Sequence, residues 1–157
     1  MEKIKQEKGI TILILVIIIL SLLILAAVAI NAGLSDLDAT KDSKLEGELN
    51  MVQYAVLQQY VKYKTTLDSS YIIGTDFNNQ IQSFVSTNYN GISIAHNINN
   101  NDEKYKHYYK ITPEQLVTLG VQDSNYSYIV NYYTGEVFNA DIFVTSIDTP
   151  LYVKGKK

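Results

Sequence analysis

From Ile10 to Ile30 the chain reads ITILILVIIILSLLILAAVAI, with no charge and only Thr11 and Ser21 as polar side chains. A helix of that length rises about 31 Å at roughly 1.5 Å per residue, close to the thickness of a bilayer's hydrocarbon core. The run is too long and too evenly apolar to be one stripe of a soluble amphipathic helix. It predicts a membrane-spanning helix over residues 10–31. The preceding MEKIKQEKG sets Lys3, Lys5 and Lys8 against Glu2 and Glu7. By the positive-inside tendency this flank places the N-terminus in the cytoplasm and the remainder of the chain outside.

Two further readings of the run stand beside each other. It fits an uncleaved signal anchor. It also contains Ala27-Val28-Ala29, a small-x-small pattern of the kind cut in secretory signal peptides, although the apolar stretch before that site exceeds the usual length. Of the 157 residues, those left after a membrane segment suffice for one small domain. With no cysteine, that domain has neither disulfides nor thiolate metal sites, and a lipoprotein anchor is excluded. The formal net charge of -3 gives no expectation of specific nucleic-acid binding.

Lys8-Gly9-Ile10-Thr11-Ile12-Leu13, set between a short charged leader and the apolar run, resembles the type III signal of prepilins, the precursors of type IV pilins. The resemblance implies cleavage between Gly9 and Ile10 by a prepilin peptidase, N-methylation of Ile10, and retention of the apolar helix as filament core. Ile14, Ile18, Leu22 and Leu25 would lie in that core. Two positions depart from the common pattern: Ile14 stands where most of the family has a glutamate, and Asn31 where many members have a proline. A carboxylate in lipid is expensive without a partner; Ile14 avoids that cost and gives up the pairing. Any bend in the helix would fall to nearby Gly33.

Residues 31–44 are polar and mark the exit from the membrane. Leu45, Leu49, Val52, Val56 and Tyr60 then recur at spacings of four and three, and Tyr63 continues the stripe. Glu46, Glu48, Gln53, Gln58 and Lys62 fall largely off it. This predicts an amphipathic helix that packs its stripe on a sheet of the head. Further on, Ile72 to Val85 reads as a short helix interrupted or preceded by a Gly74-Thr75-Asp76 turn. Gly91 to Ala95 reads as a short strand, Asn97 to Glu103 as an exposed loop and Tyr105 to Ile111 as a strand. Thr112-Pro113-Glu114-Gln115 starts a short helix that Gly120 stops. Ser127 to Tyr133 and Glu136 to Asn139 form a hairpin around Thr134-Gly135, and Ile142 to Ile147 is a third strand candidate. YIVNYYTGEVF, with the TPEQL and LGV elements before it, resembles the C-terminal part of clostridial and bacillar pilin-like proteins.

Little in the chain points to catalysis or metal binding. His96 and His107, even with Asp102 or Glu103, match no zinc spacing. Asp36 and Asp38 lack the glycine and distal glutamate of a calcium loop. There is no base-activated nucleophile and no glycine-rich phosphate loop. The thirteen tyrosines, including Tyr108-Tyr109 and Tyr132-Tyr133, are read as core and sheet cover ahead of an adhesive surface. Lys154, Lys156 and Lys157 are read as a solvated terminus.

The expected fold is a pilin-like α+β structure: a leader over 1–9, a long N-terminal helix over 10–65 (10–31 in membrane or filament core, 32–65 amphipathic), and an extracellular head over 66–157 with a small antiparallel sheet. No enzymatic activity and no cofactor are expected. The partners the resemblance implies are identical or related pilin subunits, a prepilin peptidase, an assembly platform protein with its ATPase, and the membrane before assembly. The alternative from another class is a bitopic or secreted extracellular binding domain with no filament role.

Overall fold

The computed structural model describes residues 2–92 and 106–156, and within the first helix the side chains of 2–13, 27–32 and 34–35 lie outside that range. The chain divides into two compact units, Met1–Lys41 and Asp42–Lys157. Helix α1, Glu2–Thr66, contributes to both. It is helical before Ile10 and through Gly33, so the helix begins ahead of the expected start. It ends where Leu67 takes a positive φ of 58° and returns its N–H to the Tyr63 carbonyl at 2.7 Å.

The second unit is α+β. Its sheet has five antiparallel strands in the order β1-β2-β3-β4-β5: Thr75–Asp76, Tyr108–Ile111, Tyr128–Asn131, Val137–Asn139 and Tyr152–Val153. Helices α2, Ile81–Asn88, and α3, Pro113–Thr118, lie between strands in sequence. The period of two along each strand sorts the core into two clusters. On one face Ile111, Tyr128, Val130 and Val137 meet Leu49, Val52, Val56 and Tyr60 of α1. On the other, Tyr108, Ile129 and Phe138 meet Ile81, Val85 and Tyr89 of α2 and its C-terminal turn. Every residue of β3 and β4 is therefore buried. The sheet is covered on both faces, where the sequence had suggested only the α1 side.

Local chemistry explains where the elements fall. α3 starts as its sequence indicates, with Pro113 in the first turn and the Thr112 N–H donating to Gln115 Oε1 at 3.0 Å. It closes at Gly120, φ 84°, with Val121 N donating to Leu116 O. Thr75 and Asp76, expected in a turn, pair with Lys110 and Tyr109. The chain approaches β2 closely here: a Cβ on Gly74, φ 118°, would lie 2.8 Å from the Lys110 carbonyl oxygen. The helix predicted nearby follows as α2.

Two expectations are corrected. The central hairpin strands are shorter than their apolar runs, because Asn131 Oδ1 accepts from the N–H groups of Tyr133 and Thr134 and turns the chain. Residues 142–147 form no strand. Asn139 Oδ1 accepts from Asp141 and Ile142 N–H at 2.9 and 2.8 Å, directing the backbone away from the ladder. Only the isolated bridge Val144–Pro150 remains there, and the strand paired with β4 is Tyr152–Val153. The strand predicted from Tyr105 begins at Tyr108 among the described residues. Most of the Gly91–Ala95 strand and all of the Asn97–Glu103 loop lie outside them.

Candidate functional site

In the first unit, the described apolar side chains of α1 leave no covered face. Ile14, Ile18, Leu22 and Leu25 are 52%, 49%, 60% and 65% exposed, and the residues between them are similarly open. A soluble helix buries a stripe; this segment is apolar all round and buries none. Its polar side chain, Ser21, donates from Oγ to the Ile17 carbonyl at 2.8 Å, so the hydroxyl is satisfied within the helix itself. Gly9 and Ile10 lie in α1, with their surroundings outside the described residues. Among the described residues no helix is long and apolar enough to cross a membrane. The side chains described there run only from Ile14 to Ala26, short of the ~20 residues that a bilayer requires.

In the second unit, α1 is fixed to the sheet by packing and by polar ties. Leu49, Val52, Val56 and Tyr60 are buried, and Leu45 is half-buried against the same cluster. Two side chains placed off the stripe by sequence are buried as well. Gln53 Nε2 donates to the Gly135 carbonyl at 2.7 Å and to the Lys154 carbonyl at 3.0 Å. Glu48 Oε1 accepts from the Tyr128 hydroxyl at 2.8 Å. Gln53 thereby joins α1 to both the β3–β4 turn and the C-terminal segment. The signal was present in the spacing: 49, 53, 56 and 60 make as good a helical stripe as 49, 52, 56 and 60.

Tyrosine hydroxyls make several of the remaining ties. Tyr108 donates to Glu136 Oε2 and Tyr152 to Glu136 Oε1, so one buried carboxylate joins β2 and β5 beside β4. Tyr89 donates to the Asn139 and Leu151 carbonyls at 2.6 and 3.0 Å, and Tyr132 to the Ile73 carbonyl at 2.8 Å. Burial raises the pKa of each of these hydroxyls, and the Glu136 and Glu48 carboxylates add to the effect at Tyr108, Tyr152 and Tyr128. Tyr132 is pushed up to about 12.

Among the described residues, the remaining candidates do not gather into a reactive site. His107 sits against the Tyr60 and Tyr133 rings, while His96, Asp102 and Glu103 lie outside the described residues. Asp36 and Asp38 are exposed, and Asp38 faces Lys41 at 3.8 Å. Among the described residues, no three His, Cys, Asp or Glu side chains come together to hold a metal. An open groove between α1 and the end of α3 is lined by Met51, Tyr54, Gln58, Leu119 and Val121, without an ionisable pair. The lysine tail is tied down: Lys156 N donates to the Thr134 carbonyl, and its ammonium lies 4.2 Å from the Tyr54 ring centre. Lys157 lies outside the described residues. No family model, curated protein or solved structure matches the chain.

Proposed function

We propose that the chain is a structural subunit of a type IV pilus or type II secretion-like filament. In this reading a prepilin peptidase cuts between Gly9 and Ile10, the apolar part of α1 is held in the membrane before assembly, and a platform protein with its ATPase moves subunits into the filament. The observation that carries the reading is the all-round exposure of Ile14 to Leu25 in the same helix whose later turns are buried in a packed head. An apolar surface of that kind exchanges lipid contacts for contacts with neighbouring helices at little change in character, because packing, not water exclusion, then drives association.

With Ile14 at the position of the usual glutamate, subunit docking there is apolar and requires no charged partner. The protein has no catalytic role in this account. Mechanical shearing of cells separates it from the alternative, a single anchored domain. A filament subunit is released as polymers that an antibody to the head decorates in electron micrographs. Retention of the whole pool in the membrane fraction as monomers would support the anchored domain instead.

A further inference from the structure

We infer that Asn90-Gly91 is a site of self-modification, at which the asparagine side chain is converted to aspartate and isoaspartate without an enzyme. Asn90 is the one asparagine in the chain followed by glycine. It follows α2, in a turn closed by the Ile92 N–H to the Tyr89 carbonyl at 3.1 Å. Asn90 is exposed, and Gly91 has a φ of 87°. Among the described residues nothing lies within 4 Å of where a Gly91 Cβ would stand. The missing Cβ is the chemical point, because a side chain on the following residue hinders approach of its backbone nitrogen to the asparagine amide.

The reaction closes a ring of five atoms. The Gly91 backbone nitrogen attacks Asn90 Cγ, a C–N bond forms, and the side-chain nitrogen leaves as ammonia, carrying away the proton lost by the backbone amide. Water then opens the succinimide. Addition at Cγ gives aspartate; addition at the former backbone carbonyl gives isoaspartate, with the main chain rerouted through the side chain.

Three other asparagines among the described residues are held away from this path. Asn131 and Asn139 are buried, and their Oδ1 atoms each accept two backbone N–H groups. Asn50 donates from Nδ2 to the Glu46 carbonyl within α1. Tyr89, one residue before the site, is anchored through its hydroxyl to two carbonyls, so the turn is fixed on its helix side. Conversion places a new negative charge at the C-terminal end of α2, where the helix dipole opposes it, and makes the formal charge of -3 one unit more negative. Older molecules of this protein thus carry a chemical mark of age at one surface turn.

The test is incubation of the purified full-length chain in detergent at mildly alkaline pH, followed by peptide mass mapping with isoaspartate detection. A short synthetic peptide spanning residues 86–95 is incubated in parallel as a clock. The expected result is progressive loss of the Asn90 amide with isoaspartate in excess over aspartate, retention of the amides of Asn50 and Asn139, and no product in Asn90→Gln. The inference is overturned if Asn90 keeps its amide while the peptide converts, or if Asn90 converts no faster than Asn50.

Discussion

Gln53 and Gly135, separated by 82 positions in sequence, meet at 2.7 Å through the Gln53 side-chain amide and the Gly135 carbonyl. The same amide nitrogen reaches the Lys154 carbonyl. Hydrophobic packing sets which face of α1 meets the sheet, but it is non-directional. A two-pronged hydrogen bond from one buried side chain adds the direction, fixing how far along the sheet the helix sits.

Gln53→Leu leaves both carbonyls without that donor, the buried one at Gly135 and the part-buried one at Lys154. An unsatisfied buried acceptor costs about 1–3 kcal/mol, so loss of the Gly135 bond should clearly lower the urea midpoint of the full-length chain in detergent. Near-ultraviolet circular dichroism from the head's tyrosines reports it. An unchanged midpoint would mean that the bond contributes nothing to the packing of α1 on the sheet.

Gly135 makes a second, steric point. Its φ is 72°, and a Cβ there would lie 2.8 Å from Leu57 Cγ. Gly135→Ala is expected to destabilise by about 1–2 kcal/mol from the left-handed backbone alone, with the clash added. In a Leu57→Ala background the substitution should cost less, because only the clash is relieved. Equal costs in the two backgrounds would place the whole effect in the backbone.

The buried tyrosines give the head an alkaline limit. In the unfolded chain their hydroxyls titrate near the ordinary 10.0, whereas in the fold Tyr132 is pushed up to about 12 and Tyr89, Tyr108, Tyr128 and Tyr152 are also raised. Above the ordinary value the unfolded state has lost protons that the folded state keeps, so the folded state loses ground. The contribution is complete below 10.0 and is lost as pH climbs through the folded values. Urea midpoints across that range should fall steeply, with tyrosinate absorbance appearing as the head unfolds. A midpoint that holds steady as pH climbs from 10.0 through about 12 would contradict the shifts.

In the proposed filament, Ile18 separates assembly from folding. It is 49% exposed and belongs to the first unit. Ile18→Asp should leave the head's thermal midpoint unchanged while removing the protein from sheared filaments. A lone carboxylate at the centre of an apolar helix costs about 3 kcal/mol on insertion scales. Normal yields of the variant in filaments would argue against Ile18 lying in an apolar core.

Much of this was legible in the chain, for reasons particular residues make plain. The stripe from Leu49 to Tyr60 and the Thr112-Pro113 helix start are local patterns, and local patterns survive folding. Asn131 and Asn139 were opaque because a short polar side chain that turns backbone on itself leaves no mark in hydropathy. Burial of Glu48 and Gln53 depended on a tyrosine and two carbonyls far away in sequence. The second covered face was hidden in β3, where Tyr128, Ile129 and Val130 form a continuous apolar run that fits one buried face as readily as two. The all-round apolar character of Ile14 to Leu25 was plain from the sequence, since it needs no tertiary partner to be read.

In the proposed filament the chain is cut between Gly9 and Ile10. The direct measurement is the intact mass and N-terminal peptide of the protein recovered from sheared cell surfaces. The expected chain begins at Ile10, with or without one added methyl group. A chain that keeps Met1 and stays in the membrane, or one that begins after Ala29 in the medium, would contradict it.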